Sequence, residues 1–305
     1  GFGYGKCRPD GADVSFERED GTVLNREIES WNPSGESIVW VSVPEVKAGT
    51  EFYLRYCDPL QTEQPASQTD GSVWSAAGYK LVMHFAPGDN FLREAANDVS
   101  VTGYGSTEVT GVLGGGVSLP GGGRTESAVE ISQSKLSTMT DKSKCTVSFR
   151  FKKPNNSVST ARMFCGNNSA NAAAFDIMQW SGTGGTGMCV RGSGTGNAIA
   201  VLPTSAIDWS LWNQFNVVFD GTSAQVYTNG YPAAMNGTTI TAITGYTNPI
   251  RVGNYGQGSG IPGSFDECRI RDGVSSADWL LAEQETAGEF LTFEPVEAAG
   301  DTLKV

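Results

Sequence analysis

Apolar and polar residues alternate through most of the second half of the chain, as they do in half-buried β-strands. In the run WNQFNVVFDGTSAQVYTNG, the apolar residues Phe215, Val217 and Phe219 occupy alternate positions and therefore share one face. A turn is predicted at Asp220–Gly221, after which residues 225–228 return as the second strand of a hairpin. The pattern predicts antiparallel strands with one face on a core.

Shorter runs of the same kind fill the chain from about residue 89 to 290. Examples are CTVSFRFKK, RMFCGN, AAFDIMQW, GMCVRG and AIAVLP, with glycine or asparagine pairs between them. About a dozen short strands separated by turn signals predict an all-β sandwich. No internal repeat of 20 to 50 residues is visible, so a solenoid or propeller is not indicated.

The first 88 residues have their own strand pattern and a polar stretch at 61–71. The segment SIVWVSVP, which begins at Ser37, is apolar on both faces and is predicted to be a central strand covered on both sides. We predict a smaller β domain over residues 1–88, a sandwich over 89–290, and a tail or linker over 291–305.

Charge and hydropathy narrow the function classes. The 305 residues include 21 basic and 33 acidic side chains, for a net charge of −12. Such a surface repels nucleic acid and favours a soluble protein outside the cytoplasm. We expect no membrane span within this fragment, because no stretch of about 18 apolar residues exists.

Three segments carry a resemblance to known families. The hairpin run, followed by IRVGNYGQGSGIPGSFDECRI and SSADWLLAEQ, resembles the laminin-G-like, concanavalin A-like jelly roll. The pieces ADVSFEREDG, VWVSVPEVKAGTEFYLRY and VWSAAGYKLVMHF are similar to an uncharacterised bacterial surface domain that precedes such jelly rolls. The resemblance implies an all-β protein, a concanavalin A-like (laminin-G-like) jelly-roll β-sandwich with a smaller N-terminal β domain packed beside it.

The cysteines favour an oxidising compartment. None of the six lies in a CxxC pair, so zinc and redox motifs are not indicated. Six cysteines allow 15 disulfide connectivities. The alternative is a set of buried free thiols.

Three disulfides are predicted. Cys145 and Cys268 both share faces with apolar residues, and the resemblance makes their strands neighbours, so they are one pair. The second pair is Cys165–Cys189, on strands that look consecutive. This leaves Cys7–Cys57 for the N-terminal region.

The acidic residues do not predict a glycosidase. A retaining glycosidase needs two carboxylates about 5 Å apart. The strand FDIMQW offers Asp176 alone, with Met178 and Trp180 at the next positions on its face, while Asp266 and Glu267 are adjacent and point to opposite faces. The single histidine, His84, is interpreted as structural. We therefore expect no enzymatic activity.

Calcium is the metal that the resemblance implies. Asp98 matches the aspartate of the family's entry loop and Asp266 the aspartate of its closing strand, and together they would hold a structural Ca²⁺. The alternative is that both are solvated or hydrogen-bonded acids.

Ligand binding would need flat, exposed aromatic rings. The candidates, each weighed against ordinary packing, are Trp180, Trp209, Tyr231, Tyr246 and Tyr255. The three tyrosines are placed in loops after the hairpin, where binding residues concentrate.

The sequence predicts a non-catalytic module, extracellular, periplasmic or on the cell surface, that recognises a glycan or a partner protein. One alternative is a structural or sensory ectodomain that self-associates or belongs to a larger envelope protein, such as a chain with a proton-channel module of the MotA/TolQ/ExbB type. A glycan-active enzyme is a more distant alternative.

Overall fold

The computed structural model describes residues 3–47, 49–123, 125–166, 173–182, 185–194, 199–203, 207–255, 260–285, 294–295 and 302–304. The chain divides into two compact units, residues 1–77 with 288–305 and residues 78–287. The first division falls earlier than the predicted boundary at residue 88. No helix in the described ranges is long and apolar enough to cross a membrane.

Strands and helices are numbered along the chain. The first unit contains β1 (Ser15–Arg18), β2 (Val23–Leu24), β3 (Arg26–Ser30), β4 (Ile38–Val41), β5 (Phe52–Arg55), α1 (Ser72–Ser75), β21 (Glu294–Pro295) and β22 (Thr302–Lys304). Five of these strands form an antiparallel sheet in the order β2-β1-β5-β22-β21, so the C-terminal tail contributes strands to this unit. A small core lies on one face, formed by Val14, Phe16, Leu24, Phe52 and Leu54.

One strand of the first unit differs from its prediction. The segment 38–41, expected to be a central strand, is β4, which pairs only with β3 in a two-stranded sheet. All four of its residues are half-buried. The run is apolar on both faces because both faces are partly covered, not because strands flank it on either side.

The described residues of the second unit form fifteen strands and one longer helix. These are β6 (Tyr79–Met83), β7 (Val101–Tyr104), β8 (Thr107–Thr110), β9 (Gly115–Leu119), β10 (Ala128–Ile131), β11 (Lys144–Lys152), β12 (Ala161–Cys165), β13 (Asp176–Gly182), β14 (Gly185–Arg191), β15 (Ala200–Pro203), β16 (Asn213–Asp220), β17 (Ser223–Thr228), β18 (Tyr231–Pro232), β19 (Ile250–Val252), β20 (Gly263–Asp272) and α2 (Ala277–Glu285). Short 3₁₀ helices occur at Tyr4–Lys6, Ala66–Gln68, Gly88–Asn90 and Leu136–Thr138.

Two antiparallel sheets enclose the core of the second unit. One has seven strands in the order β15-β14-β13-β12-β19-β10-β7. The other has eight strands, including β18-β17-β16-β11-β20-β9-β8 with β6 paired to β20. The pairing of β6 explains why the boundary lies before residue 79. The predicted all-β sandwich is confirmed.

The core follows the alternation read from the sequence. Val147, Phe149 and Phe151 of β11 are fully buried between the sheets, and the ring of Phe149 lies 5.5 Å from that of Phe215 in β16. Alternate residues of each strand therefore face away from the core, and these outer faces are where a binding site can form.

Strand register rules out two predicted disulfides. Cys145 lies opposite Asp272 of β20, four residues from Cys268, a separation of about 13 Å along the strand. Cys165 and Cys189 are on β12 and β14, with β13 between them, so their backbones are about 9.5 Å apart. A disulfide needs Cα atoms within about 7 Å. The Cys145–Cys268 and Cys165–Cys189 pairings are therefore wrong.

All four of these cysteines are buried. Burial raises the pKa of Cys145 to about 12 and that of Cys189 to about 11, and it raises the pKa of Cys268 well above its ordinary value. Thiols with raised pKa values are inert at neutral pH and act as small apolar side chains.

Candidate functional site

The outer face of the seven-stranded sheet carries a group of charged and aromatic side chains. On β13, Ile177 points into the core, while Asp176, Met178 and Trp180 occupy the alternate positions on the other side. Register places Arg191 of β14 beside Asp176. Alternate residues of these strands therefore point into the core, and the residues between them place polar groups on the outer face of the sheet.

Ion pairs organise the charges on this face. Arg162 of β12 lies 3.4 Å from Asp176, and Arg251 of β19 lies 3.1 Å from Glu130 of β10. Asp176 is only 6 % exposed. Burial raises the pKa of its carboxyl group, although the positive charges of Arg162 and Arg191 oppose the shift.

Two arginines stack on two aromatic rings. The guanidinium of Arg162 lies 4.2 Å from the ring centre of Tyr255, and that of Arg191 lies 4.7 Å from the ring centre of Trp180. Such cation–π contacts hold both partners in one orientation. All four residues are half-buried, so solvent reaches them.

The centre of the face is apolar and closed. Met178, Cys189 and Val201 lie outside the core cluster on three adjacent strands, yet none is accessible to solvent. The face therefore combines a buried floor with a half-exposed rim of stacked rings and guanidinium groups. Rings beside charged groups are the combination that polar, ring-shaped ligands require.

A sequence profile described as "Concanavalin A-like lectin/glucanases superfamily" matches residues 122–280, just over half of the chain. The chain belongs to this superfamily. The matched residues include β10, β12, β13, β14, β15 and β19 of the seven-stranded sheet, whereas β7 precedes them. No curated protein sequence matches the chain.

Solved structures of the superfamily's fold are similar to this chain. Domain 4 of AbnA, an extracellular arabinanase from Geobacillus stearothermophilus solved with arabinotriose, is 18% identical over 67% of this chain and 98% of that one, with a TM-score of 0.50. A botulinum neurotoxin type C structure, titled for interaction with two ganglioside molecules, is 11% identical over 69% and 51% at a TM-score of 0.50. The binding domain of botulinum neurotoxin DC with rat synaptotagmin II is 12% identical over 73% and 55% at a TM-score of 0.50.

These likenesses are structural. All identities are below one fifth, so they show a shared fold. The chain covers nearly all of the arabinanase domain but only about half the length of the two neurotoxin chains.

The five predicted aromatic ligand residues separate into three groups in this superfamily member. Trp180 and Tyr255 lie on the outer face described above. Tyr231 is 64 % exposed on β18, in the eight-stranded sheet, and so lies away from that face.

Trp209 and Tyr246 are corrections. Trp209 is fully buried, with ring centres 5.8 Å from Phe215 and 6.2 Å from Phe151. Tyr246 is 4 % exposed, and its hydroxyl contacts the Cys145 sulfur at 3.4 Å. Both rings are part of the core and cannot stack on a ligand.

The two aspartates predicted to bind calcium do not fit that metal. Asp98 is exposed. Asp266 is fully buried, and its Oδ2 accepts backbone hydrogen bonds from Val112 at 2.7 Å and Leu113 at 3.1 Å. Neither belongs to a cluster of three or more ligand groups among the described residues. Asp266 instead fixes the turn between β8 and β9, whereas calcium needs six to eight oxygens.

A β-bulge also changes the interpretation of Asp266 and Glu267. The core-facing residues on β20 are Phe265, Cys268 and Ile270, so one extra residue is inserted after Phe265. Glu267 has φ of +51°, typical of a bulged position. Simple alternation placed the two acids on opposite faces, but neither contributes to the core cluster.

The outer face of the eight-stranded sheet is covered by α2 where β16, β11, β20 and β6 lie side by side. Glu283 of α2 accepts hydrogen bonds from the Tyr79 hydroxyl, from Ser148 at 3.3 Å and from Asn216 at 3.1 Å. These buried polar groups are matched within the unit, so this part of the second face is structural.

Sequence reasoning missed the three arginines of the site. Each lies inside an apolar strand, in RMFC, MCVR and IRV, at a position that alternates with core residues. An arginine at such a position is the signal that could have revealed a polar outer face. Asp176 is visible as a candidate in the sequence, but Arg162 and Arg191 lie on other strands. The spacing of residues within one strand does not show that these side chains meet.

Proposed function

We propose that this protein is a non-catalytic binding module and that its second unit binds a glycan on the outer face of the seven-stranded sheet. The observation that carries the proposal is the half-exposed pair Trp180 and Tyr255, each stacked on an arginine that lies beside the buried Asp176. Sugar rings bind such sites by stacking on aromatic rings while their hydroxyl groups bond to charged side chains.

The carboxylates on this face support binding over catalysis. Asp176 and Glu130 lie on β13 and β10, which are three strands apart in the sheet, or about 14 Å. Catalytic carboxylates of glycosidases lie about 5 to 9.5 Å apart. Each acid is also paired with an arginine, so neither is placed to act as a general acid among the described residues of this face.

The similar structures support the same class of function without fixing the ligand. One is titled as a complex with a trisaccharide, arabinotriose, and another for interaction with gangliosides. We further propose that the protein acts outside the cytoplasm and that its first unit, which resembles a bacterial surface domain, is an accessory to the second.

A partner protein is the second candidate, because two large apolar side chains are exposed away from the proposed site. Tyr231 is 64 % exposed and Leu211 is 61 % exposed, both in the second unit. The neurotoxin domain solved with synaptotagmin belongs to a protein-binding member of the same fold.

A glycan array separates the two candidates. We expect the wild-type protein to retain a set of oligosaccharides and Trp180→Ala to lose at least about tenfold in affinity for them, since a central tryptophan often contributes 2 kcal/mol or more. Tyr231→Ala is the matched control, because it removes an exposed ring outside the site, and its binding should be unchanged. Melting temperatures of both variants verify folding.

Two results would contradict the proposal. An array with no retained glycan would favour the protein partner. Retained binding in folded Trp180→Ala, with loss in Tyr231→Ala, would place the site on the other sheet.

A further inference from the structure

The proposed binding face has a positive charge excess in an acidic protein. Its described charged side chains are Arg162, Arg191, Arg251, Asp176 and Glu130, which is one more arginine than carboxylates. The whole chain carries a net charge of −12. A local excess of opposite sign indicates what the face attracts, because charges at a partly desolvated site are weakly screened.

The excess charge belongs to Arg191. Arg162 and Arg251 are each paired with a carboxylate, whereas Arg191 has no ion pair among the described residues. The Arg191 side chain as a whole is half-exposed, although its Nε is buried. Because an arginine carries five N–H donors, a half-exposed guanidinium without an ion pair can donate to an acceptor that arrives from solvent.

Stacking fixes the direction of this guanidinium. The guanidinium carbon of Arg191 lies 4.7 Å from the centre of the Trp180 ring, which the proposed function assigns to the sugar, and this contact holds the side chain in one orientation. A guanidinium held in this way offers two parallel N–H groups, the arrangement that a carboxylate or sulfate accepts. Asp176 lies 3.4 Å from Arg162 and beside Arg191 in the sheet, so one carboxylate is shared by two guanidinium groups and one positive charge remains.

We infer that the ligand is an anionic glycan, whose carboxylate or sulfate group is received by Arg191 while a sugar ring contacts Trp180. The inference rests on the proposed function and narrows it to a class of sugar. A nucleic acid is not the anion indicated, because a phosphate chain needs several cationic contacts and the surrounding protein repels it.

The test uses an array on which each acidic oligosaccharide is printed beside its neutral counterpart. Uronate-containing oligosaccharides are paired with their carboxyl-reduced forms, and sulfated oligosaccharides with their desulfated forms, so that the two sources of negative charge are distinguished. The proteins applied are wild type, Arg191→Gln, Arg191→Lys and Arg271→Gln.

Arg271→Gln is the matched control. Arg271 stacks on Trp279 at 4.5 Å, so its substitution removes the same charge and the same kind of contact, but from the eight-stranded sheet. Melting temperatures of all variants are measured beside binding.

We expect the acidic member of each bound pair to be retained at least about tenfold more tightly, which corresponds to one charge-assisted hydrogen-bond pair. Arg191→Gln should abolish this preference and Arg191→Lys should restore part of it, while Arg271→Gln should keep it. Raising the salt concentration to about 0.5 M should reduce the preference, because dissolved ions screen the attraction between Arg191 and the anionic group.

The outcomes distinguish this inference from the proposed function. Equal or tighter retention of neutral members would overturn the anionic class while leaving glycan binding intact. A preference that survives in folded Arg191→Gln would overturn the role of Arg191. Failure to retain any oligosaccharide would overturn the proposed function itself.

Discussion

Glu267 holds a negative charge in the interior of the second unit. It lies 2.9 Å from His84 Nδ1 and contacts the Arg269 guanidinium, and it is 4 % exposed. Burial alone would raise its pKa, but the positive charge of Arg269 and the contact with His84 outweigh burial and lower the pKa to about 2. His84, the only histidine in the sequence, is buried and hydrogen-bonded to Glu267, which agrees with its interpretation as a structural residue.

We predict that Glu267→Gln destabilises the second unit by about 3 to 5 kcal/mol at pH 7, because it removes the carboxylate in contact with the buried charge of Arg269. A carboxyl group whose folded pKa is lowered stabilises the fold above its ordinary pKa of 4.5, and this contribution is lost as pH falls toward about 2. The gap between wild type and variant should thus narrow from about pH 4.5 downward.

Denaturant unfolding at pH 7 and at steps between pH 5 and pH 2 measures this gap. Glu285→Gln, at an exposed position on α2, is the control and should change stability by less than about 0.5 kcal/mol. A gap that is already small at pH 7, or constant down to pH 2, would contradict the account of Glu267.

At the residue scale, the sequence predicted side-chain facing better than side-chain exposure. The alternation of Val147, Phe149 and Phe151 was read correctly because a strand has only two faces. The exposure of Trp209 and Tyr246 was not, because it depends on which distant segments cover a loop. Trp180 could be placed on the outer face from its spacing with Asp176, but its arginine partner comes from β14.

At the element scale, disulfide pairing depends on strand register, which the sequence does not contain. The predicted pair Cys145–Cys268 is separated by four residues of strand register, and the predicted pair Cys165–Cys189 is separated by an intervening strand. The third pair has a different geometry. The sulfur atoms of Cys7 and Cys57, together with the Asp13 carboxylate, lie within 4.8 Å of one another in the first unit.

We predict that Cys7 and Cys57 form a disulfide in an oxidising environment, each thiol losing a proton and an electron to an external oxidant. Cys57 follows β5 with φ of +66°, a left-handed conformation that costs a residue other than glycine about 1 kcal/mol or more. A bond closing the loop from residue 7 to 57 would add about 4 kcal/mol by chain entropy.

Mass spectrometry of the unreduced, alkylated and digested protein measures this bond. One peptide linked through Cys7 and Cys57 is expected, with the other four cysteines alkylated only after denaturation because they are buried. Alkylation of all six cysteines without reductant would show that the bond does not form.

The sequence predicts the fold class, a β-sandwich, but it does not predict the order of the strands within each sheet. Short strands with turns between them indicate a sandwich, but both β12 and β10 pair with β19, through residues more than eighty positions apart in the sequence. The candidate site is made of side chains from β10, β12, β13, β14, β19 and the residues after it. Because these strands become neighbours only on folding, the site could not be read from local motifs.

At the scale of the whole molecule, the second unit has two sheets with different outer surfaces. Helix α2 covers part of the eight-stranded sheet with matched polar contacts, while the seven-stranded sheet presents half-exposed rings and a guanidinium without an ion pair among the described residues. This difference is why we propose the seven-stranded sheet, and not the sheet covered by α2, as the ligand-binding face.

The most direct test of this account is NMR of the seven tryptophan indole N–H and the arginine Nε–H signals during titration with the tightest-binding oligosaccharide from the array. The account predicts saturable shifts at Trp180 and Arg191, with Trp212 and Trp279 unchanged. Shifts at Trp279 or Trp212 with Trp180 and Arg191 unmoved would contradict binding on the seven-stranded sheet.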